Sequence, residues 1–173
     1  ITYSATLSGP AESPPNTSPG TGSATVAVDT VANTMKVDVT FANLVGTTTA
    51  SHIHCCTATP GTGAAGVATT TPTFTDFPLG VTSGTYDRTL DLTLASSYNP
   101  AFVAAIGTVA EAEAALLAGL AADETYLNIH SSVLPGGEIR GFLTVSAVPE
   151  PATAAILITG LLGLGWYRRS SRA

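Results

Sequence analysis

The sequence predicts an all-β fold, an antiparallel sandwich or barrel, on three observations. Short segments alternate apolar and polar residues with a period of two. Turn-forming residues separate them, with 17 Gly and 11 Pro in 173 residues. Hydrophobic residues make up 45% and charged ones 10%, enough apolar material for a single core in one domain plus an appendage.

The elements follow in order. Ile1 opens directly on a strand-like pattern, and residues 1–22 read as extended and Pro-rich, a candidate strand for donation to a neighbour. With no leading Met, the chain is expected to be a mature secreted protein from which a signal peptide has been removed. In 23–29, Ala24, Val26 and Val28 share one face. In 35–41, Met35, Val37, Val39 and Phe41 do the same, and the link containing Asn33 makes the two a hairpin. A strand is expected at 48–54, then a long Gly-, Thr- and Pro-rich loop over 60–78. Leu90, Leu92 and Leu94 predict a strand at 88–94.

Asn99-Pro100 suits the start of a helical turn, with Pro at the first helical position. Thr108 and Glu111 fit a capping box, and the Ala- and Leu-rich run behind them predicts a short inserted helix at about 109–119, ended near Gly119. Two further strands, 125–131 and 138–146, are joined by a turn containing Pro135-Gly136-Gly137.

The expected domain boundary falls after residue 147. Residues 148–173 form a tail whose 152–167 stretch carries no charge. As a C-terminal apolar helix it would span ~24 Å, short of a ~30 Å hydrocarbon core. Trp166, Tyr167, Arg168 and Arg169 then read as an interfacial belt and basic anchor, so this tail is expected to meet a membrane or pack against protein.

Charge narrows the function. Residues 1–149 hold three basic residues against eleven acidic ones, about −8. An acidic body argues against nucleic acid as a partner and suits solubility outside the cell or cation binding.

The stretch Ala50-Ser-His-Ile-His-Cys-Cys56 gathers two of the three histidines and both cysteines. On a strand, His52 and His54 point to one side, opposite Ile53. In Tyr126-Leu-Asn-Ile-His130, His130 is opposite Leu127 and Ile129. In Glu138-Ile-Arg-Gly-Phe-Leu143, Glu138 and Arg140 are opposite Ile139 and Leu143. One shared polar, outward surface is thus possible. Two imidazoles at His-x-His spacing and a third nearby suit a copper or, alternatively, zinc ion. Adjacent cysteines leave four options: a vicinal disulfide, an intermolecular bridge, free thiols or metal thiolates. We expect Cys55 and Cys56 to bind metal at or near the histidines. Glu138 and Arg140 are expected to support the site, Glu138 by orienting a ligating imidazole.

These residues also carry two resemblances. Tyr3-Ser-Ala-Thr-Leu-Ser-Gly-Pro-Ala-Glu12 with Pro14-Pro15, Gly22-Ser-Ala-Thr25, Ala50-Ser-His-Ile-His54, Tyr126-Leu-Asn-Ile-His130 and Pro135-Gly-Gly-Glu-Ile-Arg-Gly141 resemble the CHRD, or chordin-like, domain from about Tyr3 to Val145. The resemblance implies a secreted immunoglobulin-like β-sandwich. Its two histidine motifs fall on His52, His54 and His130, and its Gly-Gly-Glu motif on Gly136–Gly141. Cys55 and Cys56 depart from its pattern, so no role carries over to them. Val148-Pro-Glu-Pro151, the apolar run and the terminal arginines resemble a PEP-CTERM sorting signal. That implies secretion in a Gram-negative, biofilm-forming type of bacterium, with an exosortase handling the tail.

Three functions compete. The leading expectation is a non-enzymatic, secreted surface or matrix protein that binds metal and self-assembles, with filaments one form of the assembly. The alternatives are a copper oxidoreductase or superoxide dismutase-like enzyme, and a membrane-anchored module binding protein or polysaccharide. No nucleophile elbow or zincin motif occurs, so no catalytic residue is assigned.

Overall fold

A computed structural model describes residues 1–146. Its strands are β1 (Thr2–Ser8), β2 (Thr21–Asp29), β3 (Thr34–Ala42), β4 (Thr48–His54), β5 (Gly84–Asp91), β6 (Tyr126–Ser131), β7 (Ile139–Phe142) and β8 (Thr144–Val145). Helices α1 (Pro100–Ile106) and α2 (Val109–Ala121) lie between β5 and β6. The C-terminal apolar helix and the sorting-signal tail expected at 148–173 lie outside the described residues.

All eight strands join one antiparallel sheet in the order β4-β6-β7-β1-β2-β3-β5, with β8 also on β1. The expected sandwich is met broadly. The apolar faces meet in one core, but they belong to a single curled sheet, a half-barrel. Ile53, Leu127 and Ile129 from one end share that core with Val37, Val39 and Leu90 from the other. Ala112, Leu116 and Leu120 of α2 close it, with Phe74 and Phe77 from the long loop. Gly141 marks where the two halves meet: a Cβ there would run into the Thr6 carbonyl oxygen, so only glycine lets β7 approach β1.

The hairpin of β2 and β3 forms as expected. Asp29 accepts hydrogen bonds from the N–H groups of Val31 and Ala32, and Asn33 turns the chain at φ 51°. The β5 strand is earlier than the expected 88–94. It pairs along β3 from Gly84, and Asp91 ends it by capping the Thr93 N–H. The expected strand at 138–146 is interrupted at Leu143, whose N–H turns to the Thr125 carbonyl. The inserted helix is two helices. Asn99 caps α1, and Gly107 at φ 134° ends it. Both bonds of the Thr108–Glu111 capping box are present at α2. That helix runs past Gly119 to Ala121, because Gly119 packs inside it: a Cβ there would lie within 2.6 Å of both cysteine sulfurs.

The strand β1 expected to be available for donation is paired on both sides within its own chain, with β2 and with β7 and β8. Among the described residues, no single helix is long and apolar enough to cross a membrane.

Candidate metal centre

Antiparallel register brings the three histidines together. Ala50 pairs His130, His52 pairs Asn128, and His54 pairs Tyr126 across β4 and β6; Arg140 continues the His52–Asn128 row on β7. Pleating puts all of them on the face opposite Ile53, Leu127, Ile129 and Ile139. The shared polar face predicted from alternation is therefore present. It is not outward, however. His52 and His54 are buried, as are Tyr126, Asn128, Glu138 and Arg140, while His130 is half-buried. The loops do this: 65–72 and 132–137 lie over the imidazoles and supply their hydrogen-bond partners, and 9–18 brings Glu12 beside Arg140.

Each imidazole spends one nitrogen on a loop carbonyl. His52 Nε2 faces Pro72 O, His54 Nδ1 faces Ala65 O at 2.9 Å, and His130 Nδ1 faces Pro135 O at 2.9 Å. A carbonyl can only accept, so those nitrogens carry protons, and in the neutral ring the lone pair lies on the other nitrogen. The other three nitrogens, His52 Nδ1, His54 Nε2 and His130 Nε2, are buried with no partner. The trio offers one nitrogen each, all within 4.8 Å of one another.

Burial, first of all, lowers the pKa of each ring. His54 falls to about 4, its carbonyl bond opposing the shift and the neighbouring His52, His130 and Arg140 adding to it. His52 and His130 move the same way. Three clustered neutral imidazoles, each with an unpartnered nitrogen, are a donor set that suits a borderline metal ion. Without a cation, three buried acceptors face each other unsatisfied. The residues therefore fit a metal.

The surrounding side chains lock the rings. The His54 ring stacks on Tyr126 at 4.7 Å and 9°, and the Arg140 guanidinium lies 4.6 Å from the Tyr126 centroid. Arg140 Nε donates to Ala11 O at 2.6 Å and sits 3.8 Å from Glu12. Arg140 thus packs against the same cluster of rings.

Two expectations need correction. Cys55 and Cys56 are joined in a disulfide, so neither offers a thiolate. Their sulfurs lie against α2, near Ala115 O and Gly119, while the imidazoles look toward the loops. Glu138 forms no hydrogen bond to an imidazole. Its carboxylate accepts from Ser18 Oγ at 2.7 Å and from the N–H groups of Val45 and Gly46. Burial pushes its pKa up, but bonds from Ser131, Ser18, Val45 and Gly46 outweigh that and leave it lowered. Carbonyls of the covering loops do the orienting that was expected of Glu138.

The sequence reading missed Glu12. It is 6% exposed, and burial raises its pKa to about 7 against the opposing effects of Arg140, the Ser13 N–H and Asn128. It precedes Ser13-Pro-Pro15 in the stretch read as extended and Pro-rich, and no periodicity flags it.

The family model of the CHRD domain matches residues 3–143. No curated protein and no solved structure matches the chain.

Proposed function

The chain belongs to the CHRD domain family, and from that premise we propose an extracellular protein that holds one transition-metal ion on His52, His54 and His130. One observation carries the metal: three imidazoles each offer a nitrogen within 4.8 Å of the others, and each has one buried nitrogen without a partner while its opposite nitrogen is pinned. Copper is the ion we assign, with zinc the alternative. Imidazole suits both, and copper heads the affinity order of the divalent ions. The Cys55–Cys56 disulfide supports an oxidising compartment, and the sorting-signal resemblance of the tail supports secretion.

The role is structural, in a surface or matrix layer. A body near −8 repels its copies, and bound cations reduce that repulsion. The test is metal analysis of the full chain after loading and desalting. One copper per chain is expected for the wild type and none for the double variant His52→Ala, His54→Ala. Undiminished copper in that variant rejects the assignment.

A further inference from the structure

The three nitrogens are not alone. Asn128 stands directly across from His52 on β6, with Tyr126 and His130 two residues to either side on the same face. It is 3% exposed. Its Nδ2 donates to Glu12 Oε2 at 3.3 Å. With Glu12 ionised, as it is above pH 7, its carboxylate only accepts, so the amide nitrogen points to Glu12 and the amide oxygen the other way. That oxygen, Asn128 Oδ1, is buried and has no partner. Like Glu12 Oε1 next to it, this oxygen is an orphaned acceptor, and it belongs to the strand face that carries the three imidazoles. Tyr126 OH is given to Ala65 O and Arg140 Nε to Ala11 O, and none of the remaining Arg140 N–H groups bonds the Asn128 oxygen.

A metal ion satisfies the nitrogens but leaves the amide oxygen, which needs a proton donor. Three protein ligands leave one position of a tetrahedral ion open. Water is the smallest group that offers a lone pair to an ion and an O–H to an acceptor. We infer that the centre keeps an exchangeable fourth position, and that Asn128, fixed by Glu12, is the positioning residue that accepts a hydrogen bond from the small ligand held there. The inference rests on the metal reading above. It makes the centre open, so that small anions displace the water and lose the bond to Asn128 as they do so.

The probe is azide, titrated into the copper(II)-loaded full chain and followed by its charge-transfer absorption. Exchangeable deuterons near the copper are counted in parallel by electron spin echo in heavy water, and copper content is checked in every sample. The wild type is expected to show a water-derived deuteron signal and saturable azide binding. In Asn128→Leu the water loses its acceptor, so azide should bind roughly three- to tenfold tighter, the range one net hydrogen bond represents. Glu12→Gln frees the amide to turn and should shift azide affinity the same way by a smaller factor; it decides the matter if Asn128→Leu does not fold. Stoichiometric copper with no exchangeable deuterons and no azide binding overturns the open position while leaving the three-histidine centre standing. Unchanged azide affinity in the variants removes Asn128 from the role. A wild type that takes up no copper takes down both readings.

Discussion

His54 and Glu12 are two buried titratable groups whose environments push stability in opposite directions with pH. Burial lowers His54 from 6.5 to about 4 in the folded chain. Its neutral form is the folded form, so its contribution is complete above pH 6.5 and is lost as pH falls toward 4. Burial raises Glu12 from 4.5 to about 7. Its protonated form is favoured, so its contribution is complete below pH 4.5 and is lost as pH rises toward 7. Each shift is worth about 3 kcal/mol. Between 4.5 and 6.5 the two slopes oppose each other. In the metal-free chain, Glu12→Gln should therefore raise the Tm at pH 8, by up to about 3 kcal/mol of stability, with the gain vanishing near pH 4.5. Thermal melts across this range check it; a variant no more stable than wild type at pH 8 contradicts the buried acid. Glu12→Gln also leaves the histidine slope uncompensated, so its stability should drop more steeply than the wild type's below pH 6.5.

The link from β3 to β4 depends on Glu138. Its carboxylate accepts from two successive backbone N–H groups, Val45 and Gly46, and from Ser18, tying two loops to the start of β7. In Glu138→Gln one accepting oxygen becomes an NH2 that faces an N–H donor. The expected loss is about 2 kcal/mol of stability in denaturant unfolding, with copper affinity little changed; a large drop in affinity at unchanged stability would restore the supporting role first expected of this residue. The same element shows what the sequence could tell. Alternation in 48–54, 126–130 and 138–143 placed the histidines and Arg140 on one face, because pleating obliges it. The alternation could not show that β4, β6 and β7 would be covered on both faces. That depends on the 65–72, 132–137 and 9–18 loops, whose Gly, Pro and Thr follow no period, and whose bonds to the site run through backbone carbonyls that every sequence possesses. Glu12 and the role of Asn128 were hidden for the same reason. The cysteines were ambiguous by chemistry, and only their packing on Gly119 of α2 decides which side of β4 they serve.

For the whole molecule, the centre ties sheet to loops. The three histidines sit on β4 and β6, and their pinned nitrogens draw in carbonyls from residues 65, 72 and 135. An ion that binds only the folded arrangement stabilises it by mass action, about 2.7 kcal/mol at a free concentration one hundred times its Kd. Copper should therefore raise the Tm of the wild type, and much less so that of His130→Ala, which keeps only the His-x-His pair. The same ion bears on assembly. The acidic body repels its copies, and β1, central in its own sheet, is already paired on both sides. Assembly by strand donation would thus require exchange of a formed strand, which is slow. Assembly through charge neutralisation requires none, and should respond at once to copper and to salt. Sedimentation of the full chain and of a chain lacking 149–173, each with and without one equivalent of copper, separates the routes. Growth in mass on adding copper to both chains places the contact in the CHRD domain. Growth only in the longer chain places it in the tail, and a monomer under all four conditions ends the proposal that this protein builds a layer from copies of itself.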